Sequence, residues 1–171
     1  MQFELPQEKH EMLFQAYVNE ANQYGENYIN GDGGCSRYSD FKKWLDFDKN
    51  LREEKDLPEG YVGATTYFVV EDNQIVGTLN IRHYLNDDLL KRGGHIGYSV
   101  SVKKRRQGIA TAILKFAIRK CYQMGIKKIL VTCSKDNTGS KKTIEKCGGL
   151  LENEMKINNE KILRYWIGER K

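Results

Sequence analysis

One stretch constrains this chain more than any other: HIGYSVSVKKRRQGIATAILKFAIRKCYQMG, residues 95–125. Its first eight residues carry the β-branched and aromatic pattern of a strand. After the basic turn KKRR, the positions Ala110, Ile113, Leu114, Ala117, Ile118 and Cys121 recur at helical spacing, one apolar stripe that stops at Gly125. A strand that turns through a glycine-containing loop into an amphipathic helix must lay that helix back on a sheet, so the fold class is α/β or α+β. The junction also gathers unpaired N–H groups and the partial positive charge of a helix N-terminus, which suits a phosphate or pyrophosphate. Gly108 keeps a side chain out of the anion's way, Ala110 is small, and Lys103, Lys104, Arg105 and Arg106 supply mobile positive charge. A solvated basic turn that merely opens a structural helix accounts for the same residues.

The flanking segments supply the other elements. MQFEL reads as a short strand, and after Pro6 the positions Met12, Leu13, Ala16, Tyr17 and Glu20 follow a helix that ends near Gly25. Ser39 is placed to cap a second helix bearing Phe41, Trp44, Leu45 and Leu51. Residues 64–85 form a hairpin turned at Asp72-Asn73, and NDDLLKRGG follows as a loop broken by Gly93-Gly94. KKILVTC is a strand, KKTIEKCG a short helix, and LLENEMKI with KILRYWI a closing hairpin around Asn158-Asn159. The 171 residues, with only two prolines and no Ser/Gly tract, point to one domain without a linker.

Several functional classes are disfavoured. No run approaches the roughly 18 apolar residues that cross a bilayer, and the polar, acidic start MQFELPQEKHEM is no signal peptide, so a cytoplasmic protein is expected. Cys35, Cys121, Cys133 and Cys147 form no C-x-x-C pair and His10, His83 and His95 are scattered, so no metal is expected and the thiols are read as free and mostly buried. The KKRR cluster lacks a reading helix or a stacking motif, so nucleic acid is not an expected partner. The net charge of +5 hides an asymmetry. Residues 101–150 hold 13 Lys and Arg against two acids, leaving 15 basic and 21 acidic residues elsewhere. That polarity suits a polyanionic ligand on one side and a cationic amine on the other.

The dinucleotide and NTPase glycine fingerprints are absent. Arg105-x-x-Gly108-x-Ala110 instead resembles the [QR]-x-x-G-x-[GA] loop of the GNAT superfamily of acyl-CoA N-acyltransferases. The order that follows in that family, a strand, an Asn, a short helix and a Gly, is matched by KKILVTC, Asn137, KKTIEKC and Gly148, so the resemblance covers about residues 64–167. HIGYSVSVKKRRQGIAT and CSKDNTGSKKTIEKCGGLLENE also resemble a bacterial branch of predicted acetyltransferases. The resemblance implies a GNAT-like single domain over 1–171. Its mixed, mostly antiparallel central sheet would have six to seven strands, splayed at the fourth and fifth, with about four flanking helices. The cofactor core would span about 64–150, with the N-terminal helices, about 7–55, on the substrate side. It further implies acetyl-CoA as cosubstrate. The backbone amides of Arg105, Arg106, Gln107, Gly108, Ile109 and Ala110, with Thr111, would hold its pyrophosphate. Val100 and Val102 would pair with the pantetheine arm as an added strand. Asn137 would meet the cofactor, and Ser140 would cap the next helix or touch the cofactor.

Transfer to an amine requires a base, a polarised thioester carbonyl and help for the leaving thiolate. His95 stands about where the family often places a glutamate, and its imidazole can accept a proton at neutral pH; the alternative is that it ends a loop or bonds a neighbouring carbonyl. His83 is the second candidate, with Arg82 and Asn86 as substrate contacts, and Tyr98 is either a base or contact or a core aromatic. The family tyrosine that protonates the thiolate falls on Ile144, which has no proton to give, and the aromatic after the Gly falls on Gly149; Tyr165 is the remaining hydroxyl to try. The expected activity is acetyl transfer by direct attack of a primary amine of a small molecule or peptide. The alternative, prompted by Ile144, is a CoA-binding module without turnover. Family members often pair through their final strands, which makes a homodimer an expectation.

Overall fold

Alternating apolar positions build two antiparallel sheets in the computed structural model, which describes residues 1–168. Strands β1 (Gln2–Glu4), β2 (Ala64–Glu71), β3 (Gln74–Arg82) and β4 (Ile96–Val100) form the first sheet in the order β1-β2-β3-β4. Strands β5 (Lys128–Ser134), β6 (Leu150–Ile157) and β7 (Glu160–Gly168) form the second in the order β5-β7-β6. Both hairpin turns use left-handed residues, Asp72-Asn73 at φ 49 and 55 and Asn158-Asn159 at φ 47 and 65. This is the backbone that a tight hairpin needs to match strand twist.

Five α-helices accompany the sheets among the described residues: α1 (Glu11–Gln23), α2 (Phe41–Glu53), α3 (Asp87–Lys91), α4 (Ile109–Gln123) and α5 (Thr138–Lys146). Helix α3 corrects the expected loop at NDDLLKRGG, where the Asn86 side chain accepts from Leu89 N–H and nucleates a turn. The cap of α2 is Asp40, not Ser39; its carboxylate accepts from the amides of Lys42 and Lys43 and sets a negative charge at the positive end of the helix. The cap of α5 is Asn137, not Ser140, which is the third helical residue and donates its own amide to Asn137.

Two cores result. The apolar stripe of α4, with Ile113, Leu114, Ala117 and Cys121 fully buried, packs against both sheets together with Leu79, Ile81, Ile129 and Tyr165. Each such aliphatic side chain contributes ~1.5–3 kcal/mol by leaving water. On the other face of the first sheet, Phe14 and Trp44 stack with Phe68, Phe41 tilts against Trp44, and Trp44 Nε1 donates to the Gly33 carbonyl at 3.1 Å. Asp48 is buried in this layer. One of its oxygens faces Arg52 at 3.6 Å and the other, Oδ1, has no hydrogen-bond partner among the described residues.

The two sheets meet at a single bridge among the described residues, Gly94 with Val131. His95 makes the joint rigid. Its N–H donates to the Leu130 carbonyl at 2.8 Å and its Nδ1 accepts the Leu130 N–H at 3.0 Å. Beyond this joint β4 and β5 form no ladder among the described residues, so the edge of β4 faces an open wedge.

Candidate active site

The turn between β4 and α4 is built to leave donors unpaired. Arg106 (φ 64) and Gly108 (φ 82) both take left-handed backbone, and the chain enters α4 at Ile109. The N–H groups of Ile109, Ala110 and Thr111 belong to the first helical turn and have no acceptor within it. Helices α2, α3 and α5 each have a side chain bonded at this point, whereas α4 has none. A helix start with free amides, positive polarity and no side chain at Gly108 has the chemistry to receive an anion. The side-chain charge around it is less mobile than expected. Arg105 grips both oxygens of Glu26 at 2.7 Å and donates Nε to the Val100 carbonyl at 3.2 Å, while Lys103 and Lys104 pair with Glu20 and Glu71. Arg106 alone of the four has no acidic partner among the described residues. The Arg105 amide also donates to the Val102 carbonyl, and Gln107 Nε2 reaches the Lys103 carbonyl.

The strand leading to this turn presents a free edge. The bonds from Arg82 N–H to the His95 carbonyl and from Ser101 N–H to the Val76 carbonyl fix the phase of the β3–β4 ladder. Residues of odd number bond to β3, so the N–H and C=O groups of Ile96, Tyr98 and Val100 point into the wedge. Val102 lies outside the strand, in a single 3-10 turn of Val102–Lys104. The wedge can therefore accept an added strand at Tyr98 and at the Val100 N–H, and less so at Val102. From β4 the Tyr98 side chain crosses to α5, where its hydroxyl donates to Ser140 Oγ at 3.4 Å. Burial pushes the phenol up to about 12, so it stays protonated.

The other face of β4 meets the loop between α1 and α2. Thr78 donates to the Asn30 carbonyl at 2.8 Å, which orders a hydroxyl chain from Tyr17 through Ser99 to Thr78. This chain presses the loop onto the sheet so closely that a Cβ at Gly31 would collide with the Gly97 carbonyl. Beside Gly31 opens a cavity of about 240 Å³, walled by Tyr28 and the Gly31–Gly34 turn, Arg37, Tyr61, Asn80, Arg82, Asn86 and Asp88. Asp32 also borders it, but both its oxygens are consumed by the Gly34 and Ser36 amides and the Ser36 hydroxyl.

The expected site residues separate on these two faces. Arg82 lines the cavity. Asn86 borders it too, but its side chain is occupied as the α3 cap and as a donor to the Gly60 carbonyl. Neither His95 nor His83 lines the cavity. Because Nδ1 of His95 accepts from Leu130, the neutral ring carries its proton on Nε2, and burial plus the nearby Arg82 holds its pKa at about 4. The geometry thus makes His95 a brace between strands and leaves it no free basic nitrogen. His83 is likewise engaged at both nitrogens, by Glu54 at 2.7 Å and Thr65 at 2.9 Å. Asn137 spends its oxygen on capping α5, which leaves its Nδ2 for a ligand. Tyr165 is wholly buried and donates to Glu145 at 3.2 Å, and Ile144 is wholly buried as well. All four cysteines are free thiols; burial raises Cys121 to about 12 and Cys133 to about 11, so neither is an activated nucleophile. Sequence reading missed Tyr28, Arg37 and Tyr61. The signal available was GDGG at 31–34, a glycine density that marks backbone packed against backbone.

An uncapped helix start after a β4 edge that faces an open wedge is the arrangement expected of an acyl-CoA site, and the sequence agrees. The acetyltransferase (GNAT) family matches residues 34–149. The chain belongs to this family. It is an acetyl-CoA-dependent N-acetyltransferase. Solved structures share the fold at low identity. An acetyltransferase from Salmonella typhimurium that modifies the N-terminal serine of ribosomal protein L7/L12 is 19% identical over 98% of this chain and 94% of its own, with a TM-score of 0.69. A spermidine N-acetyltransferase from Vibrio cholerae, solved as a mutant, is 13% identical over 98% and 95%, with a TM-score of 0.65. The microcin C7 self-immunity acetyltransferase, solved with acetyl-CoA and AMP, is 17% identical over 97% and 91%, with a TM-score of 0.69. No curated protein sequence matches the chain.

Proposed function

We propose that the enzyme acetylates a primary amine of a small molecule or peptide by direct attack, with the acceptor in the 240 Å³ cavity and acetyl-CoA in the wedge. The observation that carries this reading is that two residues of the cavity wall, Gly31 and Arg82, close on Gly97 of β4, next to the Tyr98 backbone that faces the wedge. The amides of Arg106 through Thr111 would hold the pyrophosphate, with Arg106 as the free cation beside them. The Tyr98 backbone and the Val100 N–H would align the pantetheine arm, and Asn137 Nδ2 would reach it from the start of α5. Acetyl-CoA supplies the activated acyl group. The N–H groups at the β4 edge polarise its carbonyl, as donors fixed before reaction do in other acyl-transfer sites. Tyr98 takes the place of the proton donor missing at Ile144. Its hydroxyl is protonated at neutral pH and its bond to Ser140 is long enough to be exchanged for one to sulfur.

The whole chain is read as one domain, with residues of 7–55 on the acceptor side, in a bacterial cytoplasm where acetyl-CoA is available. Among the described residues no helix is long and apolar enough to cross a membrane. Strand β6 has an edge unpaired among the described residues and leaves Leu150 and Leu151 75% and 53% exposed, so a second copy would pair there; light scattering that finds only monomer at micromolar concentration refutes the pairing. Release of CoA thiol with a panel of amines, coupled to mass spectrometry of the products, tests the activity. A product about 42 Da heavier, the mass of an acetyl group replacing hydrogen on nitrogen, is expected. Binding of acetyl-CoA with no acetylated product from any amine overturns the reading.

A further inference from the structure

The acceptor cavity holds a guanidinium without a counterion among the described residues. Arg82 extends from the end of β3 over Gly97, where a Cβ would stand 3.1 Å from both Nη1 and Nη2. Its side chain's protein partners are two carbonyls, Gly93 at 3.3 Å and Gly94 at 3.5 Å, and both bonds come from Nη1. Nε and Nη2, the side-by-side pair of N–H groups that grips a carboxylate or phosphate in two parallel bonds, have no partner among the described residues. No acid among them pairs with Arg82, whereas Arg52, Arg92, Arg105 and Arg164 each have one. Removal from water holds the guanidinium pKa below its ordinary value, and the Tyr28 hydroxyl compensates only in part. Arg37, the second cation on the cavity wall, also lacks an acidic partner among the described residues. Of the carboxylates bordering the cavity, Asp32 is consumed by its own turn, which leaves Asp88 on the exposed first turn of α3.

We propose that the acceptor is an amine that also carries an anionic group, a carboxylate or a phosphate, held by the free edge of Arg82 with Arg37 behind it. This rests on the assignment of the cavity as the acceptor site. Because Arg82 lies directly over Gly97, the anion sits within a few bonds of the attacking nitrogen, as in an amino acid or an aminoalkyl phosphate.

The test measures kcat/KM for matched pairs: amino acids against their amides and decarboxylated amines, and phosphoethanolamine against ethanolamine. The anionic partner of at least one pair is expected to be favoured about 10- to 100-fold, the range of a charge-assisted hydrogen-bonded pair. Preference within the amino acids or within the phosphates tells the two anions apart. Arg82→Gln should erase the preference by raising KM for the anionic acceptor, so that the two partners of each pair react with similar kcat/KM. Equal rates for anionic and neutral amines, or an equal loss on all acceptors in Arg82→Gln, overturn the inference. Leu89→Trp, which fills the cavity from α3, tests the site itself; undiminished turnover in that variant removes the cavity assignment, whatever the charge preference.

Discussion

Replacing Gly108 by Val separates the anion seat from the fold. A Cβ built at Gly108 meets nothing within 4 Å, so the protein offers no clash. The cost to folding is that of holding a residue with a side chain at φ 82, about 1–2 kcal/mol. The ligand meets a different situation. Among the described residues the Ile109, Ala110 and Thr111 amides have no partner that would substitute for a phosphate oxygen, and a branched side chain at the residue before them stands in the anion's approach. A hydrogen bond to a charged group is worth about 1.5–3 kcal/mol. Loss of two of the three therefore weakens acetyl-CoA by ~3–6 kcal/mol, a rise in Kd of about 100- to 10,000-fold. Calorimetric titration reads the Kd, and far-UV circular dichroism with a urea midpoint reads the fold. Gly108→Ala carries the smallest side chain and no β-branch, so it should be at least as stable as Gly108→Val and fall between it and the native protein in affinity. A folded Gly108→Val protein that binds acetyl-CoA within about twofold of the native Kd refutes the assignment of the seat.

Three other outcomes follow from the buried polar groups. His95 is neutral in the fold, with its pKa near 4 against 6.5 unfolded, so its contribution is complete above pH 6.5 and fades as pH falls toward 4, by roughly 3 kcal/mol in all; His95→Gln should flatten that part of the urea-midpoint profile and leave the pH profile of kcat in place, whereas loss of its acidic limb would restore His95 as the base. Asp48 has the opposite sign: burial raises its carboxyl to about 6 from 3.8, so stability is lost as pH rises from about 4 through 6, and Asp48→Asn should recover roughly 2–3 kcal/mol at pH 7, a gain that an unchanged melting temperature would rule out. Tyr98→Phe should lower kcat about 10- to 100-fold with acetyl-CoA affinity kept, since it deletes one proton donor and no backbone group; the deficit should shrink with an acyl donor whose thiol is more acidic, and an equal deficit with both donors argues that Tyr98 only packs.

The strand, turn and helix from β4 to α5 were legible because short-range patterns dictate the course of their backbone. An apolar stripe at helical spacing, a glycine at the helix start and an asparagine before the next helix place the amides that matter, whatever the surrounding side chains do. Boundaries failed where two nearby residues compete for one role, as Ser39 with Asp40 and Ser140 with Asn137; in both cases the winner is the side chain whose oxygen reaches an amide of the first helical turn. The cavity was not legible, because it is assembled from Tyr28, Arg37, Tyr61 and Arg82, which no local period connects. His95 shows why residue type and family position mislead there. Its imidazole lies near β4 as expected, but what fixes its tautomer and occupies its Nδ1 is Leu130, 35 residues away and on the other sheet. The acidic remainder outside residues 101–150 suggested a site for a cation, yet acids near the site are spent locally: Glu20, Glu26 and Glu71 neutralise the basic turn, and Asp32 closes its own loop. Net charge by segment records which charges are present, and only pairing in three dimensions shows which remain to meet a ligand. In this cavity the charge that remains free over β4 is positive, at Arg82.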